Sequence, residues 1–80
     1  MNHGTIITYG SKAATIQTEN KHQFYAPFKE LSCFVIYDIL NESIPLNVTF
    51  KIDKKRYSGR VFSIPRYYAL NVEVKDIIFL

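Results

Sequence analysis

This sequence of 80 residues has one cysteine, three glycines and no tryptophan. Because Cys33 has no second cysteine in the chain to pair with, a disulfide framework is excluded, and we expect a reducing compartment, the cytoplasm. Three glycines are too few for a loop that cradles phosphate groups. No apolar run approaches the ~20 residues of a membrane helix, and the first residues lack a signal-peptide pattern, so we expect neither a membrane span nor secretion.

Residue types that support metal binding or catalysis are few and scattered. His3, His22 and Cys33 lie far apart in the sequence, whereas a zinc site needs about four ligands at suitable spacing. Asp38 and Glu42 could form a carboxylate pair, but we interpret them as surface charges. No serine stands in a nucleophile elbow. We therefore predict no metal, no cofactor and no enzymatic activity, and we expect Cys33 to be a small buried side chain.

Apolar residues are abundant for so small a chain. They make up 48% of the sequence, and six tyrosines and six phenylalanines are among them. Charged residues make up 21%, which is typical of a folded domain rather than a disordered segment. Aromatic rings bury a large area at little entropic cost, which a single small domain over residues 1–80 needs. The same rings also stack on nucleic-acid bases, so the aromatic content supports both a core and a binding surface.

Short runs of β-branched and aromatic residues alternate with polar turns along the chain. They predict strands over residues 4–9, 13–18, 23–28, 46–53, 60–64 and 68–75. Alternation in the last strand points four side chains inward, those of Tyr68, Leu70, Val72 and Val74. Residues 29–43 predict a short helical turn followed by extended chain, and residues 54–59 predict a charged loop. Such short strands favour a small closed β-barrel, because closure removes exposed edges.

Five short stretches follow one another in a familiar order. They read G-T-I at residues 4–6, S-K-A-A-T-I at 11–16, F-Y-A-P-F at 24–28, V-T-F at 48–50 and A-L-N-V at 69–72. This order resembles the cold-shock domain, with its opening G-T-V, its two ribonucleoprotein motifs, its V-x-F strand and its closing A-x-N-V. The resemblance implies an all-β fold, a five-stranded Greek-key barrel of the oligonucleotide-binding type. It also implies binding to single-stranded RNA or DNA.

The sequence departs from the cold-shock pattern at several stacking positions. Thr8 replaces an aromatic residue, Ala14 and Ile16 replace the two phenylalanines of the first motif, and Pro27 replaces the histidine of the second. The residues that still match are Lys12, Tyr25 and Phe28. A smoother, more apolar face would suit a protein partner. The alternative is therefore a protein-interaction or self-associating module, monomer or homodimer, that has lost nucleic-acid binding.

Positive charge is concentrated in one part of the chain. Residues 51–66 hold six Lys and Arg against Asp53 alone, a net charge of +5, whereas the whole chain carries +3. A local basic surface can bind a polyanion even on a mildly basic protein. With the aromatic residues nearby, the candidate nucleic-acid contacts are Tyr9, Lys12, Tyr25, Phe28, Lys54, Lys55, Arg56, Tyr57, Arg60, Arg66 and Tyr67.

Each of these candidates has a simpler interpretation. Residues 54–56 are also typical of a solvated hairpin loop, and the rings of Tyr9, Tyr25 and Phe28 could fill the core instead. The apolar tail, residues 77–80, is predicted to pack on the barrel as a last strand, with a dimer contact as the alternative. The hypothesis that follows is a cold-shock-like barrel that binds single-stranded RNA or DNA with low sequence preference, through a basic surface.

Overall fold

Five strands close into a barrel in the computed structural model of the chain, which describes residues 1–75. The strands are β1 (Asn2–Tyr9), β2 (Ala13–Gln17), β3 (Gln23–Pro27), β4 (Leu46–Val61) and β5 (Ile64–Val74). Their order around the barrel is β1-β2-β3-β5-β4, and only β3 and β5 pair in parallel. This confirms the predicted small five-stranded barrel of the oligonucleotide-binding type. The prediction for the tail, residues 77–80, lies outside the described residues.

The interior is filled by one side chain in two from each strand, as the pleat requires. Phe24 and Phe50 meet at its centre, with ring centroids 5.1 Å apart. The buried side chains are those of Ile6, Ala14, Ile16, Phe24, Ala26, Leu31, Val35, Ile39, Val48, Phe50, Ala69 and Val72. No buried polar side chain is found among the described residues, so apolar burial is the main driving force for closure.

The segment between β3 and β4 is helical, with a 3₁₀ turn (Phe28–Glu30) followed by α1 (Cys33–Leu40). The prediction of a short helical turn between the third and fourth strands is confirmed, whereas the extended chain expected after it is helical over Cys33–Leu40. Ser32 caps α1 by accepting a hydrogen bond from the Val35 N–H. Val35 and Ile39 then bury against the barrel. Tertiary packing of these two residues outweighs the β propensity of the local sequence.

The outer face of α1 is apolar and open to solvent. Phe34, Tyr37 and Leu40 recur every three residues along it and are all largely exposed. Cys33 is also exposed, so the prediction that it is buried is wrong. Its position at the first turn of the helix, beside the cap, points it away from the barrel-facing stripe. No helix in residues 1–75 is long and apolar enough to cross a membrane.

The strands β4 and β5 form a hairpin that is much longer than predicted. Residues 54–59 belong to β4 rather than to a terminal loop, and the chain reverses at Phe62 and Ser63. Both turn residues have positive φ, 52° and 66°, which is the geometry of a tight type I′ hairpin turn. Beyond Asp53 and Tyr68 the two strands pair only with each other among the described strands.

A change of register in β5 overturns the predicted inward set. Ala69 and Val72 are buried, whereas Tyr68 and Leu70 are only partly buried. Asn71, with a φ of 51°, inserts an extra residue between the paired positions of β5 and β4. Such a bulge shifts the side-chain alternation by one position. The prediction therefore holds for Val72 and for Val74, which packs against the core, and is wrong for Tyr68 and Leu70.

Gly4 is required by close packing inside the barrel. A Cβ atom there would lie 2.5 Å from Ile16 Cγ2 and 3.1 Å from Phe50 Cε1, and both side chains are fully buried. We expect Gly4→Ala to lower the free energy of unfolding by about 1–3 kcal/mol, because the core has no room to relax. Urea denaturation measures the change. Gly10→Ala is the matched control, since a Cβ there meets nothing within 4 Å; equal effects of the two variants would contradict this account.

Candidate nucleic-acid interface

Two tyrosines and two arginines are in contact on the outer surface where β3 meets β5, with the two rings tilted by 46° to each other. Tyr25 and Tyr68 are paired across these strands, and their ring centroids are 4.9 Å apart. The Arg66 guanidinium carbon lies 5.2 Å from the Tyr25 centroid, and that of Arg56 lies 4.6 Å from the Tyr68 centroid. Both distances are within the range of cation–π attraction. We call these four residues, Tyr25, Arg56, Arg66 and Tyr68, the Tyr–Arg face.

Hydrogen bonds hold both guanidinium groups in place over the rings. Arg66 Nε donates to the backbone carbonyl of Ser58 at 2.8 Å, and Arg56 Nε donates to the Asp53 carboxylate at 3.0 Å. Among the described residues, the guanidinium group of Arg56 makes this one hydrogen bond, through Nε. Its terminal nitrogens therefore remain available to a ligand. A guanidinium group that is fixed by its inner edge loses little freedom when a phosphate or a base binds to it.

Arg56 reaches Tyr68 because β4 bulges at this point. Asp53 pairs with Tyr68 and Tyr57 pairs with Tyr67, so residues 54–56 have no partners on β5. The Asp53 carboxylate stabilises the bulge by accepting the Lys55 backbone N–H at 2.9 Å as well as the Arg56 bond. Bulges redirect side chains next to functional sites. The bulge presents Lys54 and Lys55 to solvent and turns Arg56 back over the tyrosine ring.

Two further aromatic candidates, Tyr57 and Tyr67, form a second cluster on the other side of the hairpin. Tyr57 and Tyr67 meet edge to face with centroids 6.4 Å apart, and the Arg60 guanidinium lies 5.4 Å from the Tyr57 centroid. Successive strand residues point to opposite faces, so Tyr67 points away from its neighbours in the Tyr–Arg face. Tyr67 packs partly against the core. The structure thus divides the predicted binding residues between two surfaces.

Within the described residues, three of the predicted nucleic-acid-binding residues share no hydrogen bond or ring contact with the Tyr–Arg face. Phe28 is half-buried and packs against the core, which is the simpler of its two interpretations. Lys12 is exposed at the start of β2, where its carbonyl accepts the Phe28 N–H. Tyr9 ends β1 and is exposed. Of the predicted set, the structure brings Tyr25, Arg56 and Arg66 together, with Lys54 and Lys55 beside them.

Sequence analysis missed Tyr68 and Asp53, which complete the site. Tyr68 was predicted to point inward, because uninterrupted alternation was assumed up to Val74. A signal was present in the spacing, since Arg66 and Tyr68 are two residues apart and therefore share a strand face. Asp53 is the one acidic residue of the basic segment, and an aspartate commonly accepts hydrogen bonds from the residues that follow it.

The burial of β2 also changes the comparison with the cold-shock pattern. Ala14 and Ile16 are fully buried, whereas a ring that stacks on bases must be exposed. They therefore do not occupy the positions of stacking residues, and the outward residues of β2 are Ala13, Thr15 and Gln17. For the same reason Ala14 and Ile16 do not create the smooth apolar surface that favoured a protein partner.

Part of the Tyr–Arg face lies on strands that contribute to ligand binding in barrels of this type. In barrels of the oligonucleotide-binding type the ligand lies across strands 2 and 3 and between the loops that join strands 1 to 2 and 4 to 5. Tyr25 lies on β3, paired with Thr15 of β2, and Arg56 and Arg66 belong to the hairpin between β4 and β5. A surface cavity of about 860 Å³, lined mainly by β1 and the end of β2, shares no residue with this face.

Comparisons with family models, with curated proteins and with solved structures give no match to this chain. The relation to the cold-shock domain accordingly rests on the short sequence stretches alone. Within residues 1–75 no group of three or more histidine, cysteine, aspartate or glutamate side chains is arranged to hold a metal ion. The candidate site therefore consists of two tyrosine rings and the hydrogen-bonded guanidinium groups that lie over them.

The hydrogen bonds at Asp53 predict its titration. The Lys55 backbone N–H, followed by the Arg56 side chain, favours the ionised carboxylate and lowers the pKa of Asp53. Because the pKa of Asp53 is lower in the folded protein than in the unfolded chain, its ionised carboxylate stabilises the folded bulge at pH values above the unfolded-state pKa. This stabilisation is lost as the pH falls through the folded-state pKa. We expect Arg56→Ala to raise the pKa of Asp53 part of the way, because the Lys55 bond remains. NMR titration measures it, and an unchanged pKa would contradict the role of Arg56.

Proposed function

We propose that the protein binds single-stranded RNA or DNA, with little sequence preference and without catalysis, through the Tyr–Arg face and the adjoining basic hairpin. The observation that carries this proposal is the pair of hydrogen-bonded guanidinium groups over two adjacent tyrosine rings beside a cationic bulge. A lone, exposed Cys33 suits a reducing compartment, so we assign this activity to the cytoplasm.

The arginines supply the outermost stacking surface. Tyr25 and Tyr68 are half-buried and covered in part by the guanidinium groups of Arg66 and Arg56. Bases stack on guanidinium planes as well as on aromatic rings. A base laid on Arg56 or Arg66 would extend the existing Arg–Tyr stack by one layer. Every base has a π-face, so this mode of binding discriminates little between sequences.

The hairpin supplies the charge that attracts the phosphates. Residues 54–66 contain Lys54, Lys55, Arg56, Arg60 and Arg66 and no acidic residue. Half of the ten basic residues in the chain are therefore concentrated in this ribbon. Such a concentration holds a polyanion by releasing its counterions, so the affinity falls as the salt concentration rises. The bulge lysines are placed for this role, because they are exposed next to Arg56.

The cold-shock resemblance supports the same function by a modified route. The order of strands and the placement of Tyr25 on β3 agree with that family's general scheme, in which the second ribonucleoprotein motif lies on this strand. The stacking surface proposed here instead combines β3 with β5 and the hairpin. We therefore propose a cold-shock-like protein whose binding surface has moved toward the β4–β5 hairpin.

Replacing both arginines of the Tyr–Arg face by lysine tests the stacking role at constant charge. We expect Arg56→Lys with Arg66→Lys to weaken binding to oligothymidylate about tenfold, because lysine lacks the planar group that stacks. The dependence of affinity on salt should not change, since the charge is retained. Fluorescence anisotropy over a range of salt concentrations measures both quantities. Wild-type affinity in a folded double variant would contradict the stacking role.

Neutralising the bulge lysines tests the phosphate contacts separately. We expect Lys54→Gln with Lys55→Gln to reduce the slope of log affinity against log salt by about 1.4, or roughly 0.7 for each lost phosphate contact. Lys21→Gln with Lys75→Gln is the matched control, because both lysines are exposed and lie outside the hairpin. Equal effects of the two pairs would indicate a nonspecific response to net charge. Absence of oligonucleotide binding by the wild-type protein at low salt would refute the proposed function.

The exposed stripe of α1 supports the second candidate function, self-association. Phe34, Tyr37 and Leu40 are 73%, 68% and 64% exposed, and an apolar stripe of this kind on a small protein commonly marks a protein contact. If α1 mediates a homodimer, Tyr37→Glu should shift the protein to a monomer. Size-exclusion chromatography with light scattering measures the mass, and a wild-type monomer at high concentration would exclude this candidate.

A further inference from the structure

Phe62 lies at the tip of the β4–β5 hairpin, where both its exposure and its backbone conformation are energetically unfavourable. Its side chain is 89% exposed, the highest value among the large apolar residues that the structure describes. It also occupies the first position of the turn with a φ of 52°. Asparagine, aspartate or glycine is favoured at that position, whereas a bulky aromatic residue is strained there. Neither packing nor turn geometry accounts for a phenylalanine at this position.

We propose that Phe62 is an additional base-stacking residue, which contacts the continuation of the same single strand that lies on the Tyr–Arg face. This inference rests on the proposed function. An exposed ring at the end of a basic ribbon offers a π-face to any base that reaches it. Contact with a base would also bury the apolar ring, which the free protein leaves in water.

Charge along the hairpin favours a nucleic acid as the occupant of the tip. Arg60 lies next to the turn and donates a hydrogen bond to the Ser63 carbonyl at 3.3 Å. Arg66 marks the other end of the ribbon, over Tyr25. No acidic residue interrupts residues 54–66. Arg60 therefore supplies positive charge close to Phe62 at the tip of the hairpin, where a phosphate backbone that reaches the ring would meet it.

The length of the ribbon fixes how many nucleotides this path requires. Ile64 lies four positions before Tyr68 along β5, so the distance between them is about 13 Å at roughly 3.3 Å per residue. The turn extends the distance from Tyr68 to the tip to about 17 Å. A single strand rises about 3.4 Å per nucleotide when its bases are stacked and about twice that when it is extended. The path therefore spans roughly three to five nucleotides. A short oligonucleotide on the Tyr–Arg face cannot also reach Phe62.

Phe62→Asn tests this inference, because it removes the ring and introduces a residue that the turn prefers. Oligothymidylates of about two and about twelve nucleotides are compared by fluorescence anisotropy, because about two nucleotides are too short for this path. We expect Phe62→Asn to bind the longer oligonucleotide about tenfold more weakly than wild type and the shorter one equally well. The melting temperature should be equal or higher. Phe62→Tyr, which restores a ring, should bind both as wild type does.

Two controls separate the ring from its surroundings. Ser63→Gly relaxes the same turn without removing the ring, and Phe34→Ala removes an exposed ring outside the hairpin; both should bind as wild type does. An unchanged affinity of Phe62→Asn for the longer oligonucleotide would overturn the inference and leave the proposed function standing. Equal losses for both lengths would also overturn it, as would a wild-type dimer that Phe62→Asn converts to a monomer. Failure of the wild-type protein to bind either length would refute both proposals.

Discussion

The pairing of β3 with β5 is the contact on which the barrel and its binding surface both depend. It is the one parallel pairing of named strands in residues 1–75, and its registered position is Tyr25 opposite Tyr68. The two rings are in tilted contact on the outer surface at that position, while their neighbours Phe24, Ala26 and Ala69 fill the interior. Closure of the barrel therefore assembles the tyrosine pair, because the same register places the two rings side by side.

Irregularities in the two long strands make this register possible. The extra residue at Asn71 in β5 and the unpaired residues 54–56 in β4 fall on either side of the pair formed by Asp53 and Tyr68. The first shifts the inward alternation of β5, so that Ala69 faces the core and Tyr68 faces outward. The second swings Arg56 over Tyr68. Deviations from ideal strand geometry are thus concentrated where the Tyr–Arg face is built.

The sequence was sufficient for the fold class and for one part of the site. Alternation of side chains located the first three strands and the start of β4 within a few residues, because each buries one face against the core. It failed at α1, where a strand-like run becomes helical by packing Val35 and Ile39 on the barrel. Sequence patterns also failed to locate the hairpin turn, because Phe62 and Ser63 are not among the residue types that normally signal a type I′ turn.

Site prediction was limited by the same long-range register. A cluster of charge is visible in a sequence, so Arg56 and Arg66 could be identified as candidates. Which face of the sheet a tyrosine occupies depends on every bulge between it and the nearest buried residue. One unrecognised bulge at Asn71 was enough to turn Tyr68 inward in the prediction. For Tyr25 the prediction left a core position and an exposed position open, and the structure places it between the buried Phe24 and Ala26 on the outer face of the short, regular β3.

The distribution of charge connects the stability of the hairpin with its occupancy. Five positive side chains on one ribbon repel one another, and Arg56, paired with Asp53, is the one that forms a salt bridge among the described residues. Repulsion of this kind lowers the stability of the free hairpin, most strongly at low salt. A polyanion bound as proposed would remove the repulsion and, because it would bind the folded hairpin, would also stabilise it. Beyond Asp53 and Tyr68 the two strands pair only with each other among the described strands, so this stabilisation would act mainly on the hairpin.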